Sequence, residues 1–472
     1  MHRVESDIAL LRRLKYLRSA PMIPQFLRHL EVRISRYDDS RALSWIRPTS
    51  AQLYRKTLRD KFGAASWAIG LSRDLPVHRD IRGALSRLDK LTSVTVDCQL
   101  SPPSQRGILP AIPLSSSLTS NLPVVCRSSG DTITRLILAF RPTYLNLGLS
   151  KLKFPNLQEF DFELDVRPLP YSRGPPLDLN NYGFDHVERE LSLFISSHRH
   201  FLQTFGLSLP SGLFAAKVLD DSPYLTSLTG LSLSFIASEP HVLSSITRFI
   251  GRYSKNIRSF GFRLDDLESK HYQMLHEWIV QFPLSTFPQL EYLSVSFSDF
   301  FELLLSFVSK CGVKVKTLSV GMDRSLWDDQ VQQLAATVKQ GGGQKYIQNL
   351  YLPTLLHFYI LRLIAEGFTS LKSLYVKCKD PIVYDRDLIY LDSPPRNNPL
   401  ATWGLEHLIL VRANGGWLRS GDTELLYDRV PQFFPGVQYF NGLEREQNWV
   451  DHDVDMLDTP WFFEGYPNRR RS

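Results

Sequence analysis

The sequence has little cysteine and no long apolar run. Its four cysteines lie far apart and form no CxxC pair: Cys98, Cys126, Cys311 and Cys378. A disulfide framework or a zinc site needs more cysteines at closer spacing, so we expect free thiols in a reducing compartment, the cytoplasm or the nucleus. No run of about 18 apolar residues occurs, so no membrane-spanning helix is predicted. Charges interrupt the first apolar stretch, and no signal peptide is predicted.

Signatures of catalysis and metal binding are also missing. The sequence contains no HExxH, GxSxG or GxxxxGK[ST] motif. Residues Asp451–Asp455 begin like a calcium loop, but Met456 stands where glycine is needed and Phe462 where a bidentate glutamate is needed. We therefore predict no catalytic residue, no metal and no cofactor, and expect that the protein is not an enzyme.

A short apolar frame recurs along the chain instead. The stretch FPQLEYLSVSF, Phe287–Phe297, places Leu290, Leu293, Val295 and Phe297 in the pattern Φ-x-x-Φ-x-Φ-x-Φ, where Φ is apolar. The frame also starts at Leu91, Ile133, Leu157, Leu202, Leu228, Ile257, Val315 and Leu371, with weaker copies at Leu27, Ile347, Leu405 and Val437. A single match is typical of any half-buried strand, whereas a dozen in sequence predict a repeat protein.

Helical patterns fill the spaces between the frames. In HVLSSITRFIGRYSKN, one stripe at helical spacing holds Val242, Ile246, Phe249, Ile250 and Tyr253. The unit is therefore strand, loop, helix, loop. A doubly wound α/β fold or a barrel is less compatible, because buried parallel strands there are continuous apolar runs, whereas these strands alternate. No glycine-rich phosphate loop follows the first strand either.

The frame resembles that of leucine-rich repeats, which have the pattern L-x-x-L-x-L and one strand and one helix per unit. The Asn or Cys of the ninth position is absent, since Ser298, Lys379 and Asp165 stand there, and Phe often replaces Leu. The steps, of 24 to 45 residues between Leu91 and Val437, are longer than usual. This combination is similar to the degenerate repeats of fungal F-box-type proteins. The resemblance implies an α/β fold: an irregular solenoid with a parallel β-sheet on the concave face and helices on the convex face.

The extent of the apolar frame along the sequence determines the predicted domain boundaries. We predict an N-terminal helical cap over residues 1–26, a solenoid of about 12 irregular units over 27–442, and a C-terminal cap or tail over 443–472. Proline-rich insertions lengthen the solenoid near 101–131, 167–183 and 380–404.

The resemblance also implies a function. In the family, such an array captures substrates for a cullin-type ubiquitin ligase, while an N-terminal F-box docks a Skp-type adaptor. No Leu-Pro followed by an apolar and acidic helix precedes Leu27, so no F-box is recognised in this chain. We predict a non-catalytic protein-recognition module that is similar to a substrate receptor. The alternative is a free-standing scaffold or inhibitor without a ligase.

Nucleic-acid binding is a third, less favoured reading. Residues 1–90 contain 19 Lys and Arg against 9 Asp and Glu, a balance of +10 within a chain whose net charge is +7. A basic segment of this kind can contact nucleic acid or an acidic protein. No RNA-recognition or zinc-finger signature accompanies it.

Candidate partner-binding residues lie at the x positions of the frame, because side chains alternate along a strand and these should point away from the core. The predicted set is Glu159, Asp161, Glu163, Arg263, Tyr292, Ser294, Tyr375 and Lys377. Its charge passes from acidic in the early units to basic in the late ones, which provides a basis for choosing a partner.

Overall fold

The structure is a computed structural model of the 472-residue chain. It describes residues 29–33, 86, 88–97, 123–140, 148–164, 185–209, 211–236, 240–265, 269–282, 287–298, 300–311, 315–322, 324–354, 358–378, 400–412, 430, 432–440 and 443–444. The predicted cap 1–26, the insertion 167–183, most of the insertion 380–404 and nearly all of the tail 443–472 lie outside the described residues. The chain divides into two compact units, Met1–Pro210 with Lys217–Ser227, and Ser211–Ala216 with Leu228–Ser472.

The first unit is built on parallel strands that pair in chain order. They are β1 (His29–Arg33), β2 (Ser93–Asp97), β3 (Arg135–Phe140), β4 (Glu159–Leu164) and β5 (Thr204–Leu209). Helix α1 (Asp185–His198) lies between β4 and β5. A short helix over residues 123–129 precedes β3, so the last part of the predicted insertion 101–131 is helical rather than loop.

The second unit repeats the same order. Its strands are β6 (Gly230–Ile236), β7 (Ser259–Asp265), β8 (Tyr292–Phe297), β9 (Thr317–Gly321), β10 (Asn349–Pro353), β11 (Ser373–Cys378), β12 (His407–Arg412), β13 (Tyr439–Phe440) and β14 (Leu443–Glu444). Each of the strands β6 to β12 pairs in parallel with the next one, and β14 turns back antiparallel to β13. The unit boundary falls within α2 (Gly212–Asp221), and the later helices are α3 (Pro240–Tyr253), α4 (Tyr272–Gln281), α5 (Phe301–Cys311), α6 (Asp328–Gln340) and α7 (Phe358–Gly367).

The apolar frame determines where each strand begins. Every strand from β1 to β13 starts two residues after a frame start, as β8 does at Tyr292 after Leu290 and β2 at Ser93 after Leu91. The predicted α/β leucine-rich-repeat-like fold class is therefore confirmed.

One backbone contact recurs between successive repeats within each unit. The carbonyl of the residue after the frame start accepts hydrogen bonds from two consecutive N–H groups of the next repeat. The Arg258 carbonyl accepts from Glu291 at 2.8 Å and Tyr292 at 3.0 Å, and the Glu291 carbonyl accepts in turn from Lys316 and Thr317. The contact recurs at Thr92, Thr134, Gln158, Thr229, Lys316, Gln348, Lys372 and Glu406. It fixes the register of each strand on its neighbour.

The core of the first unit lies between its strands and α1. Phe160 and Phe205, on neighbouring strands, stack with their ring centroids 6.4 Å apart, and Phe194 of α1 packs 4.7 Å from Phe160. The apolar stripe of this helix, formed by Val187, Leu191, Phe194 and Ile195, is buried. The sheet thus has one face under the helix and one face turned away from it.

A ring cluster forms the core of the second unit. Phe307 of α5 is fully buried and lies 5.7 Å from Phe262, with the two rings nearly parallel at 9°. It also contacts Phe260, Phe282, Phe297 and Trp278 at 5.6–6.3 Å. The Trp278 indole N–H donates to Thr247 Oγ1 at 2.7 Å, so its polar atom is satisfied in the core.

Two titratable side chains join α1 to the turn before β4. The Glu190 carboxylate accepts from the Ser150 N–H at 2.9 Å and from the Ser150 hydroxyl. Burial opposes its charge, but these hydrogen bonds prevail and lower the pKa of Glu190. His198 accepts the Phe154 N–H on Nε2 at 3.0 Å, while its Nδ1 lies 2.7 Å from the Phe194 carbonyl, which selects the tautomer protonated on Nδ1.

Removing the central ring of the second unit should destabilise it. We expect Phe307→Ala to lower the free energy of unfolding by about 3–5 kcal/mol, because the cavity would remove ring contacts on several sides. Urea unfolding measures the change. The control Tyr346→Ala removes a ring that is 46% exposed and should change stability by less than about 0.5 kcal/mol. A loss below about 1 kcal/mol for Phe307→Ala would contradict this description of the core.

Acid should loosen the contact between α1 and the turn before β4. Burial lowers the pKa of His198 below its ordinary 6.5, and the hydrogen bond to Phe194 opposes only part of this shift. The stabilisation is therefore present above pH 6.5 and is lost as pH falls through the folded-state pKa. We expect amide exchange at Phe154 to accelerate from pH 7 to pH 5 beyond the intrinsic pH effect.

The His198→Gln variant keeps a hydrogen-bond acceptor without a titration, so its exchange should show a weaker pH dependence. His200→Gln, at an exposed neighbour, is the control and should behave as the unchanged protein. Equal pH dependence in all three proteins would refute the role of His198.

Candidate functional site

The acidic residues predicted on the first unit share one strand. Glu159, Asp161 and Glu163 alternate along β4 on the face turned away from α1, and all three are partly exposed. The Arg135 Nε lies 3.2 Å from the Glu159 carboxylate, whose side chain is 12% exposed. Arg135 therefore balances part of the negative charge at the start of the row.

The other two acidic residues have small or apolar neighbours in register. Asp161 lies between Ile137 of β3 and Gly206 of β5, and Glu163 lies opposite Ala139. Like charges along one strand face repel each other unless water or a cationic group meets them. Contact of this row with a basic partner stays a prediction.

The outward face of the second unit is rich in hydroxyl groups and has few charged residues. Its strand register defines three rows across β6 to β12, which we call the unit-2 face. The first row is Gly230, Ser259, Tyr292, Thr317, Asn349, Ser373 and His407; the second is Ser232, Gly261, Ser294, Ser319, Tyr351, Tyr375 and Ile409; the third is Ser234, Arg263, Ser296, Gly321, Pro353, Lys377 and Val411. Its charged residues are Arg263 and Lys377, both in the third row.

Two glycines on the unit-2 face make room for neighbouring serines. A Cβ on Gly261 would stand 2.8 Å from Ser232 Oγ, and one on Gly321 would stand 2.7 Å from both Cβ and Oγ of Ser296. The second overlap cannot be relieved by turning the serine hydroxyl, because the serine Cβ itself is in the way. Gly321 therefore keeps this part of the face flat.

The predicted tyrosines form part of the floor of this face. Tyr292 is 5% exposed, and its hydroxyl is hydrogen bonded to the Ser294 and Ser319 side chains. Burial raises the pKa of Tyr292 to about 12, although these hydrogen bonds oppose the rise. Tyr375 is 8% exposed and stacks on Tyr351 at 4.1 Å and 12°. Both predicted tyrosines are on the expected face of the sheet. Their side chains are buried within that face and do not project from it.

Burial also raises the pKa of Tyr351, and its neighbours Tyr375 and Tyr292 add to the effect. The hydroxyls of Tyr292 and Tyr351 are therefore neutral over the physiological range. A second stack, of His407 on Tyr439 at 4.6 Å and 6°, continues the aromatic surface to β13. Such a face can bind by hydrogen bonds and flat apolar contact.

The eight predicted residues do not form a single cluster within one unit. Glu159, Asp161 and Glu163 belong to the first unit, whereas the other five lie on the unit-2 face. Ser294 is partly exposed in the second row. Partner contact by any of the eight stays a prediction.

Sequence reasoning missed Trp327, whose side chain is 62% exposed. It follows Leu326, which is buried and bridges in parallel to Thr354 just past the end of β10. The backbone N–H of Trp327 donates to Gln330 Oε1 at 3.0 Å, at the start of α6. In the sequence, Trp327 could have been identified as an aromatic residue that lies outside the apolar frame and directly precedes the polar start of a helix.

The described part of the chain has neither a side-chain group for a metal ion nor a membrane-spanning helix. Among the described residues, no group of three or more His, Cys, Asp or Glu is placed to hold a metal ion. None of the described helices is long and apolar enough to cross a membrane.

Cys126 is a free, partly buried thiol whose Sγ contacts the Lys153 carbonyl at 3.0 Å, and burial raises its pKa.

Comparison with known proteins gives similarity to solved structures alone. No family model matches the sequence, and no curated protein matches it. The chain is similar to the leucine-rich repeat-containing protein LegL7 from Legionella pneumophila, with 14% identity and a TM-score of 0.35, over 73% of this chain and 90% of that one. It is also similar to the Rad7 and Elc1 complex of yeast, with 11% identity and a TM-score of 0.34, over 86% of this chain and 93% of that one.

A methyl group at Gly321 should disturb the unit-2 face. We expect Gly321→Ala to lower the free energy of unfolding by about 1–3 kcal/mol, because the new Cβ overlaps Ser296. The double variant with Ser296→Gly should recover about half of the loss, which thermal or urea unfolding would measure. Gly251→Ala on α3, where nothing lies within 4 Å of a new Cβ, should be stabilising by about 0.5–1 kcal/mol. Absence of recovery in the double variant would contradict the proposed overlap.

Proposed function

We propose that the protein is a non-catalytic recognition module that binds a protein partner on the outward faces of its sheets. The observation that carries the proposal is the contrast between the two sides of each sheet. One side is a closed apolar core, whereas the other carries half-exposed charges on β4 and hydroxyls, stacked rings and two cations on the unit-2 face. Interfaces are enriched in tyrosine and arginine, both of which this face provides.

The finer role rests on the resemblance of the repeat frame to F-box-type proteins. We propose that the module acts as a substrate receptor in the cytoplasm or the nucleus and is connected to a Skp-type adaptor and a cullin-type ligase. A free-standing scaffold or inhibitor would use the same faces without the adaptor. The two roles differ in whether the adaptor accompanies the protein.

Quantitative affinity purification from cells that make the protein tests the proposal. One variant carries Glu159→Lys and Glu163→Lys on the first unit, and another carries Ser294→Arg on the unit-2 face, where a long side chain would obstruct docking. We expect at least one of them to lose its main partners about tenfold or more, the size of a moderate hot spot. The control Lys339→Glu changes an exposed residue on α6 and should keep them.

Co-purification of a Skp-type adaptor with all four proteins would support the receptor role, and its consistent absence would favour the scaffold. If neither variant of the sheet faces changes the set of captured partners, the proposal that partners bind on these faces is wrong. Circular dichroism of each variant excludes unfolding as the cause of a loss.

A further inference from the structure

We infer that one edge of the second unit binds single-stranded nucleic acid, with phosphates at Arg258, Lys345 and Lys255 and a base stacked on Tyr346. We call this surface the strand-entry edge and define it as the residue that precedes each of the strands β7 to β11, together with the turn before that residue. It is separate from the outward sheet faces, so the inference goes beyond the proposed protein partner and does not depend on it.

Positive charge exceeds negative charge along the strand-entry edge. Residues 91–472 carry a balance of −3, because residues 1–90 account for +10 in a chain whose net charge is +7. The excess at this edge is therefore a local concentration of cations within a slightly acidic part of the chain. The exposed cations are Lys255, Arg258, Lys316, Lys339, Lys345 and Lys372, and the described carboxylates on or next to the edge are Glu291, Glu366 and Glu406.

The carboxylates of this edge are already paired with other cations. Among the described residues, Arg258, Lys345 and Lys255 form no ion pair. A polyanion can therefore contact these three cations without displacing a carboxylate. The pairs that use the carboxylates are Lys316–Glu291 at 3.0 Å, Lys372–Glu406 at 2.9 Å and Arg362–Glu366 at 2.7 Å.

Helix ends explain some of these cations without any ligand. Lys339 lies in the last turn of α6, and Lys255 follows the end of α3 by two residues, so both compensate for the partial negative charge of a helix C-terminus. Arg258 precedes a strand, and Lys345 lies five residues beyond the end of α6. Because the effect of a helix falls off within its last turn, it does not account for Arg258 and Lys345.

Tyr346 provides an exposed ring next to Lys345. The side chain of Tyr346 is 46% exposed. The turn before it contains Gly342, whose φ of 72° favours glycine, and a Cβ on this residue would meet nothing within 4 Å. The surface around the turn is therefore open, and a flat group can reach the ring. Aromatic side chains beside cations are the usual platforms for the bases of a single strand.

An open depression lies beside Arg258. Pro288, Gln289 and Leu290 line it together with Glu291, whose carboxylate is already paired. The depression gives a phosphate room to approach the guanidinium from the side of the turn. Guanidinium donors match phosphate oxygens in a bidentate geometry, which makes arginine a favoured phosphate ligand.

The spacing of the cations fits a short stretch of one strand. Arg258 precedes β7 and Lys345 lies in the turn before β10. Three strand spacings of about 4.8 Å correspond to roughly 14 Å, which about four nucleotides cover at about 3.4 Å each. Each nucleotide carries a phosphate and a flat base, so one strand can contact both cations and stack on Tyr346. An acidic peptide lacks a ring at each residue, which favours nucleic acid over an acidic protein at this edge.

Fluorescence anisotropy on the full-length protein tests the inference. The probes are fluorescein-labelled dodecamers of uridine and of deoxythymidine, which share phosphates and bases and differ in the 2′-hydroxyl. We expect at least one of them to bind with a Kd on the order of 10 µM, and the logarithm of the affinity to fall with the logarithm of the salt concentration with a slope of about −2 or steeper, as three phosphate contacts require. A labelled dodecamer of glutamate should bind at least tenfold more weakly.

Three variants locate the site. Arg258→Gln and Lys345→Gln each remove one phosphate contact and should reduce the magnitude of the salt slope by about 0.7. Tyr346→Ala should weaken binding about tenfold at an unchanged salt slope, because it removes stacking and no charge. Tyr346→Trp should restore the affinity, since an indole also stacks on a base.

The matched control is Lys270→Gln. It removes an exposed lysine from the turn Ser269–His271, which follows the C-terminal end of β7 and so lies at the opposite edge of the sheet. This variant should keep both the affinity and the salt slope of the unchanged protein. Circular dichroism shows whether each variant is folded.

The inference is overturned if neither dodecamer binds, or if the glutamate dodecamer binds as tightly as the nucleic acids. It is also wrong if the nucleic acids bind the three edge variants as tightly as the unchanged protein, because binding then lies elsewhere, as the basic residues 1–90 would predict. Equal losses in Lys270→Gln and in the edge variants would show a general effect of net charge and would likewise contradict a site at this edge. None of these outcomes bears on the partners proposed for the sheet faces, which the Ser294→Arg variant tests separately.

Discussion

A single carbonyl that accepts two hydrogen bonds is the contact on which the rest of the structure depends. In each unit it joins the residue after a frame start to two consecutive N–H groups of the following repeat, as Glu291 does with Lys316 and Thr317. Because the same frame position is used each time, every strand enters the sheet in the same register. The alternation of core and outward side chains then follows for the whole strand, since a shift of one residue would exchange the two faces.

This carbonyl contact also explains how irregular spacing of the repeats is compatible with a regular sheet. The steps between frame starts vary from 24 to 45 residues, yet each strand begins two residues after its frame start. The variation lies in the loops and helices between strands, where extra length changes the entropy of loop closure only slowly. The strand register is therefore independent of how long each connection is.

The sequence predicts which elements form, because both periodicities are local. The helix stripe with Ile246 and Phe249 and the strand frame at Leu290 can be read without tertiary information. The helix over residues 123–129 was not predicted, since it lies within a stretch dominated by serine and proline. The two-residue antiparallel strand β14 is too short to produce a pattern.

The degree to which each site residue is buried could not be predicted in the same way. Alternation indicates the side of the sheet on which Tyr292 lies, but its burial depends on Ser294 and on Ser319 of the next strand, whose side chains are hydrogen bonded to its hydroxyl. Likewise, the burial of Tyr375 comes from stacking on Tyr351. The prominence of Trp327 arises from the bridge between Leu326 and Thr354, which joins positions 28 residues apart. These are non-local contacts that a linear pattern does not contain.

The reversal at β14, the last strand among the described residues, has a consequence for self-association. A parallel array ends in a strand whose free backbone groups can pair with another chain, and such edges are frequent starting points of aggregation. Here β14 runs back along β13, with Tyr439 paired to Glu444 and Phe440 to Leu443. The outer edge of β13 is therefore hydrogen bonded within its own chain, which blocks the addition of a further parallel strand to Tyr439 and Phe440.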